Sequence, residues 1–149
     1  MSQSEYAIWL PHCTKEFAKE KAQAMAISQD EALKLSEQSF KSILPEGLNT
    51  PDSYLFSILN GDDQKIGTVW FVISTKWGVT TAFIYDLEIA ANFRRLGHAQ
   101  VAMRLIEPVA SELGATKLAL HVFGFNSGAI GLYESLGYKT TDINMAKSL

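Results

Sequence analysis

The run from Tyr85 to Ala99 holds the densest set of side chains able to do chemistry. Asp86 and Glu88 stand two apart, so on an extended strand they share one face, and Tyr85, Leu87 and Ile89 take the other. A carboxylate inside a central strand is costly unless it is paired or used. Further on, Arg94 and Arg95 add two guanidinium groups, and Gly97 and Ala99 leave the backbone approachable. A helix opening there presents N–H groups without internal partners, together with the positive end of its dipole. This combination can hold a pyrophosphate. The same residues also read as a surface turn with two solvated arginines, and Glu88 as half of a structural pair with His121 on a neighbouring strand. Neither G-x-x-x-x-G-K-[ST] nor G-x-G-x-x-G occurs, which removes two other phosphate-binding loops.

These groups need elements to position them. Tyr6 to Leu10 is short, aromatic and apolar, a strand candidate closed by Pro11. Thr14 offers a cap to a helix over Lys15 to Ile27. Ser28 and Glu31 form a capping box, and a second helix runs to about Leu44, where Pro45 and Gly47 stop it. Ser53 to Leu59, Lys65 to Ser74 and Thr80 to Ile89 read as strands. The turn signals Asn60 to Asp63 and Lys76 to Gly78 join them into an antiparallel meander. Ala102, Leu105, Ile106, Val109, Ala110 and Leu113 then fall at helical spacing, with Pro108 expected to kink the helix and Gly114 to follow its end. Lys117 to Phe123 reads as a strand, Asn126 to Leu136 as a capped helix ended by Gly137, and Tyr138 to Met145 as a last strand. The fold class is therefore α+β, or α/β with a mixed sheet, in one domain over residues 1–149.

Composition narrows the function classes. Hydrophobic residues make up 47% and charged residues 19% of the 149, enough apolar side chain for a real core. A formal charge of −3 provides no global basic field, which argues against a nucleic-acid or anionic-membrane binder. Cys13 stands alone, so an internal disulfide and Cys-rich zinc sites are excluded, and His12 and His121 make no metal set with a nearby pair. No apolar run approaches the ~18 residues of a membrane span, and no secretory signal is visible, so a cytoplasmic location is the expectation.

Two motifs add a resemblance. Arg94-x-x-Gly97-x-Ala99 matches [QR]-x-x-G-x-[GA], and Asn126-x-x-Ala129-x-x-Leu132-Tyr133-x-x-Leu136-Gly137-Tyr138 is close to N-x-x-A-x-x-L-Y-x-x-x-G-[FY]. In this order and spacing they resemble the GNAT superfamily of acyl-CoA-dependent N-acetyltransferases, in a bacterial-type branch whose acceptor the motifs do not name. The resemblance covers nearly the whole chain. It implies a mostly antiparallel central sheet with one splayed parallel strand pair and flanking helices. It also implies acetyl-CoA as cosubstrate, no metal, and a small-molecule or peptide amine as acceptor; dimers are common in the family.

By resemblance, Leu87 to Ile89 give backbone contacts to the pantetheine arm, and the Ile89 amide faces the thioester carbonyl. Arg94, Arg95, Leu96, Gly97, His98 and Ala99 surround the pyrophosphate, and Asn126 and Ala129 lie along the arm. Tyr133 matches the general acid that protonates the departing thiolate; without the motif it reads as a core tyrosine. Glu88, beside Ile89, ranks first as base or acceptor ligand, and Asp86 second. The departures are Ala91, where an acidic or proline residue is common, Leu96 for a frequent lysine, Ala99 for glycine, and two helix glycines, Gly128 and Gly131. They motivate an alternative: a non-catalytic acyl-CoA-binding or protein-interaction module on the same fold. Cys13 reads as a small filler, and Trp9, Trp70 and Trp77 as core or lid aromatics. The charges Lys15, Glu16, Lys19, Glu20 and Lys21 read as a solvated helix face.

Overall fold

The computed structural model describes residues 1–147. The first helix, α1, runs unbroken over Gln3–Met25. The expected strand at Tyr6 to Leu10 does not form. Ser2 caps the helix and Glu5 reaches back to the Ser2 amide, so nucleation occurs ahead of the apolar stretch. Pro11 lies inside the helix rather than ending the element before it. Its missing donor orphans the carbonyl of Ala7, and both residues are exposed, so water can satisfy that group. Thr14 is consequently mid-helix, its hydroxyl donating to the Leu10 carbonyl at 2.7 Å instead of capping.

Helix α2 (Gln29–Ile43) starts at the capping box of Ser28 and Glu31. It packs on α1 along small residues: Ala18, Ala22 and Ala32 are buried together, and Ser36 Oγ donates to the Thr14 carbonyl at 2.8 Å. Strands β1 (Ser53–Leu59), β2 (Lys65–Lys76) and β3 (Val79–Ile89) form the expected meander. Helix α3 (His98–Glu112) passes through Pro108. It returns the chain to β4 (Lys117–Leu120), which joins β3 in parallel, giving the order β1-β2-β3-β4. Helix α4 (Ser127–Ser135) follows.

Three layers result. Tyr6, Trp9, Cys13, Phe40 and Leu44 of α1, α2 and the chain just after α2 bury Leu55 and Trp70 on one face of the sheet. Met103, Ile106 and Ala110 of α3 cover Val69, Phe71, Ala82 and Ile84 on the other. Trp9 meets Trp70 edge-on at 5.7 Å between ring centroids.

Two further expectations differ from the structure. The last strand, Tyr138 to Met145, is absent: these residues have no regular structure, and Ile143 and Met145 are exposed. The Tyr138 amide is instead committed to the end of α4, donating to the Tyr133 carbonyl, and the alternating Ile143 and Met145 that suggest a strand find no sheet edge to pack on. Trp77 is neither core nor lid. It sits at φ 50° in the β2–β3 turn with 99% of its surface exposed, while Trp9 and Trp70 are buried.

Candidate active site

One irregularity in β3 builds the site. Trp70 pairs with Asp86, and Phe71 pairs with Ile84, so Tyr85 is an extra residue without a partner on β2. Such a bulge twists the strand and resets its alternation. Ile84 points to the α3 side, whereas Tyr85 stacks on Trp70 at 4.8 Å, on the α1 side. Asp86 and Glu88 also face α1, and Leu87 faces α3. The two carboxylates share a face as expected; Tyr85 joins them rather than opposing them.

The parallel pairing with β4 ends at the same place. Its last pair is Ile84 with Leu120, and residues 121 to 123, expected as strand, leave the sheet. From Tyr85 onward β3 has β2 on one side and an open edge on the other. The Ala90 amide donates to Ile66 of β2 at 2.8 Å. Because successive amides of a strand point to opposite edges, those of Leu87 and Ile89 point to the vacated one. The Ile89 carbonyl faces the same way and accepts from Arg94 Nε at 2.7 Å.

The parted strands open onto a cavity of about 630 Å³, within the range of ligand pockets. β3 supplies its wall from Phe83 to Ile89, α4 supplies Ala129 and Tyr133, and the loop before α4 supplies Asn126. Asn126 caps α4, its side-chain oxygen accepting from the Ala129 amide at 3.1 Å, which explains the spacing of these two motif residues. Burial pushes the Tyr133 phenol above its ordinary value of 10.0, with Asp86 and Glu20 adding repulsion, so it stays protonated at neutral pH.

At the other end, α3 begins at Gly97, whose φ of 81° suits glycine and no side chain caps. The first helical bond, from Val101 to the Gly97 carbonyl, leaves the amides of His98, Ala99 and Gln100 without intrahelical partners. Arg94 departs from the simple picture of an arginine beside that terminus. Besides its bond to Ile89, its guanidinium lies 3.5 Å from Glu88 Oε1. Arg95 and Leu96 are exposed, and His98 meets Phe93 edge-on.

The carboxylates are held differently. Asp86 accepts from Trp9 Nε1 at 3.0 Å and Thr68 Oγ1 at 3.3 Å. Burial pushes its carboxyl above the ordinary range, the Glu88 charge adds to this, and hydrogen bonds from Trp9, Cys13 and Thr68 oppose it. Cys13 is therefore more than a filler: it lines the cavity against Asp86, and burial raises its thiol well above the ordinary value, so it stays protonated. Glu88 pairs with His12, not His121. His12 Nε2 lies 2.9 Å from Oε2 and 3.2 Å from Oε1, whereas His121 packs edge-on against Phe123.

Sequence reasoning missed Glu16 and Glu20. Both line the cavity, at helical spacing with Cys13 and Phe17 on one face of α1. Burial raises the Glu20 carboxyl, and the charges of Asp86 and Glu16 add to the effect. Lys19 holds the Glu16 carboxyl below its ordinary value. The signal was present as a continuation of the Trp9–Cys13 stripe across Pro11.

Comparison with known proteins agrees with this geometry. Residues 15–138 match the model of the acetyltransferase (GNAT) family. Two Bacillus subtilis (strain 168) proteins, the uncharacterized N-acetyltransferases YycN and YdgE, are 35% and 33% identical over the whole chain, which spans 96% and 95% of them. The crystal structure of YycN superposes with a TM-score of 0.94, covering 100% of this chain and 95% of that one. The chain belongs to the GNAT family of acetyltransferases.

Proposed function

We propose that the protein is an N-acetyltransferase, one domain over residues 1–149, that passes an acetyl group from acetyl-CoA directly to a primary amine within a ternary complex. The observation that carries the reading is the parting of β3 and β4 at Ile84 and Leu120, which leaves the Leu87 and Ile89 amides facing a cavity that also holds Tyr133, Asp86 and Glu88.

The residues present fit the cosubstrate. An extended pantetheine arm can add to the open edge of β3 as a further strand, bonded by Leu87 and Ile89, with Asn126 and Ala129 along its other side. The uncapped amides after Gly97 suit its pyrophosphate, helped by Arg94, Arg95 and the backbone from Leu96 to Ala99. When bound, acetyl-CoA supplies an acyl carbon activated as a thioester. The Ile89 amide stabilises charge developing on the carbonyl oxygen. Tyr133, protonated at neutral pH, gives its proton to the departing sulfur. Glu88 takes a proton from the acceptor, and Asp86, Glu16 and Glu20 set a negative potential across the cavity that favours a cationic amine, peptide or small molecule.

Thiol release tests this. Wild type and Tyr133→Phe are incubated with acetyl-CoA and an amine panel, with CoA binding followed by calorimetry. The expected result is turnover by the wild type, a fall of about 100-fold in the variant, and unchanged CoA affinity. Tight CoA binding with no transfer to any acceptor would instead favour a binding module, and full activity of Tyr133→Phe would remove that residue from its role.

A further inference from the structure

We propose that His12 carries the proton taken up by Glu88 out to solvent; this rests on the transfer reaction inferred above. His12 lies on α1, and its Nε2 contacts both oxygens of Glu88, at 2.9 and 3.2 Å. Its side chain is 50% exposed against 33% for Glu88, so the imidazole is the more solvent-accessible member of the pair. The other neighbours of Glu88 cannot serve. Arg94, 3.5 Å away, does not release its proton. Asp86, on the same face of β3, is enclosed by Trp9, Thr68 and Cys13. The charged groups around His12 are Glu88 from β3, Arg94 from the following loop, and Glu16 one turn along α1. Among these groups only an imidazole can take a proton on one ring nitrogen and release one from the other.

The proton balance of the reaction requires such an exit. A primary ammonium gives one proton to Glu88, and its freed electron pair forms the carbon–nitrogen bond. The carbon–sulfur bond breaks with its electron pair left on sulfur, which takes the Tyr133 proton. The second ammonium proton restores the phenol. The products are an amide, a thiol and one free proton per turnover. That proton sits on Glu88, and the Glu88–His12 contact leads it to the surface.

His12 acts through Glu88 rather than on the substrate, so the test must separate relay from support. Thiol release is measured against pH for wild type, His12→Gln and His12→Ala, with CoA affinity by calorimetry and His12 followed by NMR in wild type and Glu88→Gln. Gln can keep a hydrogen bond to Glu88 but cannot pass a proton on. We expect His12→Gln to lower kcat by about 10-fold or more, keep CoA affinity, and remove one ionisation from the pH profile. Added imidazole should restore His12→Ala in proportion to its concentration, and Glu88→Gln should shift the His12 titration. Wild-type kcat and pH profile in His12→Gln would overturn the proposal. So would a loss in His12→Ala that is equal at every pH and untouched by imidazole, or a His12 titration indifferent to Glu88→Gln. No thiol release from the wild type with any amine would overturn the transfer reading and this proposal together, whereas normal release from wild type and His12→Gln alike overturns only the role of His12.

Discussion

Trp9 Nε1 donates to Asp86 Oδ2 at 3.0 Å, so the first helix supplies part of the solvation that a carboxylate in the sheet has lost. The bond joins residues 77 positions apart and ties α1 to the β3 wall of the cavity. Trp9→Phe keeps an aromatic ring in the cluster with Phe40 and Trp70 but deletes the donor. It is expected to cost about 1–3 kcal/mol in urea unfolding and to raise the Asp86 titration further in carboxyl NMR.

The Asp86 shift has a sign that can be checked. Its folded-state proton affinity lies above the ordinary value of 3.8. The folded chain therefore binds this proton more tightly than the unfolded chain, and the associated stability is lost as pH rises from about 3.8 through the folded value. Asp86→Asn does not ionise. Its stability relative to wild type is expected to increase across that window and then level off, measured by urea unfolding at a series of pH values. A constant difference at all pH values would contradict the burial of the charge.

Glu5 is the opposite case. Its carboxylate accepts from the Ser2 amide at 2.6 Å and Ser57 Oγ at 2.7 Å, and it pairs with Lys65 at 2.9 Å. The Ser2 amide, then Lys65 and Ser57, hold it well below the ordinary 4.5. Its contribution is present above about 4.5 and is lost as pH falls toward the folded value. Glu5→Gln is expected to cost about 1 kcal/mol at neutral pH. That difference should narrow below pH 4.5 in denaturant titrations.

Gly67 leaves room for the stretch of β3 that carries Glu88. A Cβ there would stand 2.2 Å from the Glu88 carbonyl oxygen, which is backbone and cannot swing aside. Gly67→Ala is expected to destabilise by about 1–3 kcal/mol. It should also lower turnover in protein that remains folded, because β3 must shift under Glu88; assays below the unfolding transition separate the two effects.

Pro11 is tolerated rather than required. It lies on the exposed side of α1, where it removes a helix hydrogen bond. Pro11→Ala is expected to stabilise by about 1–3 kcal/mol, read as a rise in Tm, with no change in CoA affinity.

The three-stranded meander and most helix boundaries were legible because the sequence signals there act locally. The Ser28–Glu31 box, the turn around Asn60 and the stripe from Ala102 to Ala110 each specify their element without tertiary help. The motif around Tyr133 likewise placed that residue in the cavity with Asp86 and Glu88. The failures share one origin. Pro11 reads as a boundary, yet the capping box at Ser2 and the burial of Tyr6 and Trp9 outweigh its local cost. Splitting α1 there hid the stripe linking Trp9 to Cys13 and Glu20, and with it the acidic wall and His12. The bulge at Tyr85 has no local signature either, since a tyrosine fits a regular strand equally well, so the side it faces was misassigned.

That single supernumerary residue makes the cavity end of β3 a matter of parity. Paired regularly, with Tyr85 rather than Asp86 opposite Trp70, β3 would keep every charged group and every motif position, yet it would exchange inside for outside at every side chain after Tyr85. Asp86 and Glu88 would be turned toward the α3 layer and Leu87 toward the cavity. The layer that receives the two carboxylates is thus decided by where β3 takes in its extra residue, while their spacing decides only that both go the same way.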